Sequence, residues 1–447
     1  MILADFAVDA VPPPAARAAA ARAVLDTVGV TLAGASEPAA RIVQQVIANG
    51  SGACTVFGAG MLTTAVDAAL ANGTAAHAHD YDDMCFVSLA HPSAPLVAAA
   101  FAAAELAGSS GRALVDAYIV GFEIEGRLGR AMNPRHYQRG WHCTSTLGTI
   151  GAAAAVSRLL QLDRSRAAHA LAIAASEASG LKENFGTMVK PLHGGLAARN
   201  GVLAALLARA GMTASAAAID GPQGFLTAMD SESPSLDRFV ADLGSRWEIL
   251  TTGITVKLYP SCAATHPTLD ALLDLRKREG FSAAEVDAVE IGVDPITPTV
   301  LLYDRPASGL EGKFSMPFCV AAAVVDGRVG LDTFTPDRLR DPRIVDMQTR
   351  VRMRIDDTLD ASAPPLTQAT VSVRLRDGRT LKALANGARG YPERPPSDEE
   401  LGIKFTACAA LAMPESDARA ALAALRGIDA EDDVRAVTTM LRARALT

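Results

Sequence analysis

From Pro14 to about residue 250 the apolar positions recur at helical spacing in long Ala-, Leu- and Val-rich stretches, the pattern of helices that bury one face against each other. The spacing predicts helices over residues 15–33, 64–76, 94–106, 112–127, 146–160, 164–179 and 195–210. A triple proline ahead of the first suits a helix start, because proline is pre-shaped for the first turn and lacks an N–H that would be orphaned there. Asn72-Gly73 and Asn200-Gly201 punctuate the pattern, the second at a place where a helix with close neighbours would also accept it. Residues 53–57 are the one early strand candidate.

After Asp270 the period shortens. Val289, Ile291 and Val293 alternate with Glu290 and Gly292, and Val351, Met353 and Ile355 alternate with Arg352 and Arg354, which reads as half-buried strands. Val371, Val373 and Leu375 follow, and Asp377-Gly378 supplies a hairpin turn before Leu381 and Ala383. An antiparallel α+β module is expected, with helices over 268–279 and 315–325. At Ser397 a capping box with Glu400 reopens the helical register, over 397–412, 416–425 and 430–445. The expected fold is mainly α: an all-α body, residues 1–267 and 395–447, interrupted by a smaller inserted α+β domain, residues 268–394.

Composition supports a helix-rich chain, since 49% of the 447 residues are hydrophobic but only 5% aromatic, so alanine and aliphatic side chains carry the core. A net charge of −7 excludes a generally basic nucleic-acid binder, and an anionic ligand would need a local cationic pocket. The cysteines, Cys54, Cys85, Cys143, Cys262, Cys319 and Cys408, form no CxxC pair, which argues against a disulfide framework or zinc ribbon. Asp5 and Asp9 replace the basic start of a secretory signal, Glu105 breaks one apolar stretch, and His142 and Arg158 bracket another. A cytoplasmic chain with no membrane span and no nucleic-acid partner is expected.

Four segments carry candidate chemistry. The first runs from Asn72 to Asp83, with His77, His79, Asp80, Asp82 and Asp83, and is followed by His91-Pro92-Ser93. Imidazole and carboxylate in this density suit either a metal or an acid–base network at capped helix ends. The second, Gly140 to Thr146, places His142 in a loop before a small-residue helix, open to a cleft or packed under Trp141. In the third, Lys190-Pro191-Leu192-His193-Gly194-Gly195, a lysine before proline is disfavoured mid-helix and glycines let backbone approach a ligand. The fourth, Lys257 to His266, contains Tyr259 and Cys262 and lies where the helical body gives way to the module, a preferred place for clefts. A phosphate loop, a dinucleotide fingerprint and a nucleophile elbow are all missing from the sequence.

Taken together, NGTAAHAHDYDD with AHPSAP, GWHCTSTLG, VKPLHGGLAARNG, KLYPSCAATH and GKFSMPF resemble the MmgE/PrpD family, which includes 2-methylcitrate dehydratases, cis-aconitate decarboxylases and iminodisuccinate epimerase. The resemblance runs from the N-terminal helix to Lys404-Phe405. It implies a large all-α domain built from both chain ends, an α+β lid and a homodimer. It also implies an enzyme that uses no metal or organic cofactor and acts on a small anionic carboxylate. Carried over by motif, it places Asp80, His91, His142, Lys190 and Lys257 as catalytic candidates, with His79, Met84, His193, Tyr259, Cys262, His266 and Phe318 around the substrate. Removing a proton next to a carboxylate builds charge that Lys190 and Lys257 could stabilise while a histidine carries the proton. The resemblance also shows departures: Met84 where many members have Thr, and Cys262 and Phe318 where the decarboxylases have His and Tyr. Dehydration like that of 2-methylcitrate is the leading expectation, epimerisation of an imino- or amino-dicarboxylate the alternative, with decarboxylation or an inactive carboxylate-binding homologue behind them.

Overall fold

The alanine-rich stretches become helices that approach closely because so many contact positions carry a methyl group or a hydrogen. A computed structural model describes residues 2–442. In it, helix Val189–Arg209 lies among Ala65–His77, Ser93–Ala107 and Cys143–Leu159, and Gly111–Met132 packs behind the last of these. Two contacts are backbone-close. A Cβ on Gly195 would stand 2.3 Å from the Leu70 carbonyl oxygen, and one on Gly201 would stand 2.7 Å from the Ala153 amide nitrogen. Gly73 faces Gly194 and Gly195 inside its helix, so Asn72-Gly73 is a packing device here and not a break, a correction to the reading from sequence. Asn72 earns its place differently: its amide donates to the Thr55 carbonyl and accepts from the Phe57 N–H.

Most other boundaries move outward. The expected helices 112–127 and 195–210 extend to Gly111–Met132 and Val189–Arg209, while Ile2–Asp9 and Pro38–Val46 add helices that apolar spacing did not reveal. Strand β1, Cys54–Val56, gains an unforeseen antiparallel partner β2, Met61–Thr63.

Beyond residue 280 the second sheet contains β3 (Val286–Val293), β4 (Val351–Ile355), β5 (Gln368–Leu375) and β6 (Thr380–Asn386), in the order β4-β3-β5-β6. Asp377-Gly378 turns β5 into β6 as expected, with Gly378 in the left-handed region. The module is not purely antiparallel, however: β4 runs parallel to β3, with Val289 opposite Val351. A parallel pair needs a long crossover, and the chain between them forms one that includes helices Met316–Asp326 and Pro342–Gln348. Strand β4 is an edge strand and leaves Ile355 exposed. Helix His266–Glu279 covers β5 and β6.

Ser397 caps the helix Asp398–Ala409 with its expected capping box. This helix packs on Pro14–Gly34, where Lys404 pairs with buried Asp26 at 2.8 Å. The helix expected over 430–445 is shorter, Arg435–Leu441, and its last positions fall outside the described residues. Among the described residues no single helix is long and apolar enough to cross a membrane.

Candidate active site

The helix Ala65–His77 ends in a loop that presents the acidic run. Asp80 has a φ of 52°, a left-handed conformation that aspartate tolerates better than most residues. Its carboxylate is shared by two lysines: Lys190 Nζ donates to Oδ1 at 2.5 Å and Lys257 Nζ to Oδ2 at 3.0 Å. Lys190 is the second residue of its helix, where Pro191 is harmless because the first-turn N–H groups have no intrahelical partner. Lys257 is brought in by a backbone bridge in which Met84 and Thr255 exchange N–H···O bonds of 2.8 Å in both directions.

Histidines surround this ion cluster. His77 lies between Asp82, 2.7 Å from Nδ1, and Lys190 Nζ, 2.9 Å from Nε2. A neutral ring with its proton on Nδ1 satisfies both contacts, donating to Asp82 and accepting from the ammonium. The His91 ring packs 4.6 Å from that of His77, with Nδ1 3.4 Å from Asp82 and Nε2 3.7 Å from Asp80. Its Nδ1 and the Asp82 Oδ1 are buried without a hydrogen-bond partner. His142, at the start of helix Cys143–Leu159, stacks on His77 at 5.6 Å and meets His193 Nδ1 to Nδ1 at 3.0 Å. The partner under Trp141 is His136, stacked at 6.0 Å, so the alternative for His142 is resolved in favour of the cluster.

Burial and charge set the protonation states. Burial lowers the basicity of His77 to about 4, Asp82 opposing and Lys190 reinforcing it. Burial, then the charge of Lys257, lowers His91, and burial followed by Lys190 holds His142 well below its ordinary value. His193 falls to about 4 through burial and its neighbour His77. Burial alone would raise Asp80, but Lys190 and Lys257 outweigh it and keep the carboxyl ionised. Near neutral pH the site therefore holds neutral imidazoles, which are competent bases, beside fixed ammonium groups.

His77, Asp80, Asp82 and His91 offer ligand atoms within 4.8 Å of one another. Both oxygens of Asp80 and Nε2 of His77 already accept lysine hydrogens, and a divalent ion there would face two ammonium groups. The donor set fits an acid–base network better than a metal centre.

Other candidates lie further out. The His79 ring turns to the Ala33 carbonyl at 3.2 Å and to Glu37 at 3.8 Å. Tyr259 donates to Asp270 at 2.6 Å, and His266 packs edge-on against it with Nε2 3.2 Å from the Ser261 carbonyl. Burial pushes the Cys262 thiol up to about 11, next to Asp80, which disfavours a thiolate nucleophile. Phe318 is core, packed on Phe334 at 5.8 Å. The side chains that sequence reasoning passed over are Lys313, whose Nζ donates to the His79 carbonyl at 2.5 Å, and Phe185 and Phe314, whose rings lie 5.4 and 5.2 Å from Lys190 Nζ. Lys313 and Phe314 stand in GKFSMPF itself, but a lone lysine and a lone aromatic carry no spacing signal. The Ser and Thr hydroxyls after His142 are committed within the protein: Thr144 accepts the His91 N–H at 3.0 Å, Ser145 donates to the His193 carbonyl at 3.4 Å, and Thr146 pairs with His136 at 2.8 Å.

A buried Asp–Lys–Lys cluster ringed by neutral histidines defines a charged, histidine-lined class of site; Asp80, Lys190 and the histidines lie in the first of two family domains, and Lys257 lies between the two. The MmgE/PrpD N-terminal domain matches residues 2–236 and the MmgE/PrpD C-terminal domain residues 259–429; the chain belongs to the MmgE/PrpD family. Among its relatives, the cis-aconitate decarboxylase of Homo sapiens is 29% identical, over 94% of this chain and 89% of the relative. That of Aspergillus terreus is 28% identical over 94% and 90%, and that of Mus musculus 27% over 94% and 88%. These relatives are enzymes.

Proposed function

We propose that this protein catalyses proton transfer at a carbon next to a carboxylate of a small di- or tricarboxylate, most simply as a hydro-lyase resembling 2-methylcitrate dehydratase. The observation that carries the proposal is the sharing of the single Asp80 carboxylate by Lys190 and Lys257, with His91 3.7 Å away. Lys190 and Lys257 carry two positive charges against the Asp80 carboxylate they share, while Asp82 is engaged by His77 and His91, so the lysine face of the cluster is the part suited to a substrate anion. As the proton leaves carbon, charge grows on the adjacent substrate carboxylate, and pre-placed ammonium groups stabilise that charge with little reorganisation. His91 or His142 takes the proton; Nδ1 of His142 is engaged by His193, so Nε2 is its remaining acid–base atom. In dehydration a protonated group then assists loss of hydroxide.

Similarity to cis-aconitate decarboxylases favours a second reading, decarboxylation. Cys262, beside Asp80, weighs against it, since it removes a polar partner where a tricarboxylate-specific site gains its discrimination. The presence of two separate imidazoles, His91 and His142, keeps epimerisation of an imino- or amino-dicarboxylate as the alternative within proton transfer.

The cluster is buried, and Lys313 and Phe314 reach it from the inserted segment. We therefore take residues 268–394 as a lid that must open for substrate, on a cytoplasmic homodimer. Incubation of the protein in D2O with 2-methylcitrate, citrate, cis-aconitate and iminodisuccinate stereoisomers, followed by NMR and ultraviolet absorbance, tests the proposal. Deuterium incorporation with a new C=C absorbance supports dehydration, inversion without it supports epimerisation, and loss of carbon dioxide supports decarboxylation. No exchange with any of them counts against the proposal.

A further inference from the structure

Three consecutive carbonyls of the Asp80 loop are each held by a buried lysine. Lys313 Nζ donates to the His79 carbonyl at 2.5 Å, Lys257 Nζ to the Asp80 carbonyl at 2.8 Å, and Lys404 Nζ to the Tyr81 carbonyl at 2.9 Å. These lysines lie 234, 177 and 323 residues from their acceptors in sequence, so three distant segments converge on one stretch of backbone. We infer that Lys313 and Lys404, which no motif chemistry assigns to the reaction, are positioning residues that clamp this loop and fix the Asp80 carboxylate between Lys190 and Lys257. The inference rests on the reading of Asp80 as the site carboxylate.

The physical need is plain. The loop follows the C-terminal end of helix Ala65–His77, where carbonyls lack intrahelical donors and the helix dipole is negative. Buried carbonyls require donors, and a left-handed non-glycine residue such as Asp80, with φ 52°, persists only where its surroundings over-determine it. Lysine suits the task because one ammonium carries three hydrogens. Lys257 uses them on both the carbonyl and Oδ2 of Asp80. Lys404 bonds the Tyr81 carbonyl and Asp26 while lying 4.0 Å over the Tyr81 ring.

The test uses Lys313→Met, the double variant Asp26→Asn with Lys404→Met, which avoids leaving Asp26 as a lone buried charge, and Asp80→Asn. Turnover is measured with whichever of 2-methylcitrate, citrate or cis-aconitate the wild type converts. In parallel, NMR of protein labelled at histidine Cε1 follows His77 and His91, which contact Lys190 and Asp80. A carboxylate displaced by about 1 Å lowers kcat by about 10²-fold. The clamp predicts that loss in both lysine variants, with a near-wild-type Tm in Lys313→Met and shifted His77 and His91 signals. Unmoved signals and wild-type turnover in both, with turnover lost in Asp80→Asn, overturn the clamp and leave the role of Asp80 standing. If Asp80→Asn keeps turnover, the functional reading fails and the histidine signals decide: shifted signals support the clamp and unmoved ones overturn it. Should the double variant not fold, Lys313→Met decides by the same signals.

Discussion

Nδ1 of His142 faces Nδ1 of His193 at 3.0 Å, so one of these nitrogens carries a proton and the other a lone pair. His142 immediately precedes helix Cys143–Leu159 and His193 lies in Val189–Arg209, two helices that pack side by side. His193 therefore sets which nitrogen of His142 is free to exchange a proton with a ligand. His142→Gln and His91→Gln are each expected to lower deuterium exchange into substrate; losing a general base costs about 10²–10⁴-fold. His193→Gln, acting through His142, should lower it less. Full exchange in His142→Gln would remove that residue from proton transfer and leave His91.

Lys190 and Lys257 hold opposite oxygens of Asp80. Replacing either with Met should lower kcat/KM by about 10²–10³-fold, the typical cost of one pre-placed electrostatic partner. Steady-state kinetics would check this. An effect on KM alone would indicate a role in substrate binding and none in the charged transition state.

Burial and neighbouring lysines lower the basicity of His91 and His142. A base with lowered pKa stays active in more acidic solution, so the acid limb of kcat/KM against pH should have its midpoint below 6.5, the ordinary histidine value. A midpoint at or above 6.5 would exclude both rings in their buried state as the base.

Asp83 accepts from the Ser93 N–H at 3.2 Å and from the Ser93 hydroxyl, which meets the Tyr118 hydroxyl at 2.6 Å, and burial pushes this carboxyl up to about 8. Because the folded state holds this proton more tightly than the unfolded chain, the contribution is full below the unfolded value near 3.8 and is lost as pH rises through about 8. Asp83→Asn keeps the neutral form at every pH. Its stability relative to wild type should therefore grow between pH 4 and 8, at up to about 1.4 kcal/mol per pH unit. Urea unfolding at several pH values would measure the difference, and a difference independent of pH would place the titration elsewhere.

A Cβ at Gly195 would stand 2.2 Å from Thr74 Oγ1 and 2.3 Å from the Leu70 carbonyl oxygen. Gly195→Ala should destabilise the protein by about 1–3 kcal/mol through overpacking. It should also lower activity, since the helix it displaces carries Lys190 and His193 against His77. Retained activity with a lowered Tm would separate the helix contact from the geometry of the site.

The amino-acid sequence by itself determined the helical and alternating periods, the hairpin at Asp377-Gly378, the cap at Ser397 and the segments that hold Asp80, His91, His142, Lys190 and Lys257. These are local properties: they depend on side-chain period, turn chemistry and motif order within short windows. Tertiary structure alone decided that β4 runs parallel to β3, that Gly73 continues its helix, and that His136 rather than His142 lies against Trp141. It also placed Tyr259 on Asp270, Phe318 in the core, and Lys313 and Lys404 on the carbonyls beside Asp80. Those outcomes depend on contacts between residues far apart in the chain. Strand direction follows from the crossover that joins the strands, and a lone lysine takes its role from the buried acceptor it meets, neither of which leaves a periodic mark in the sequence.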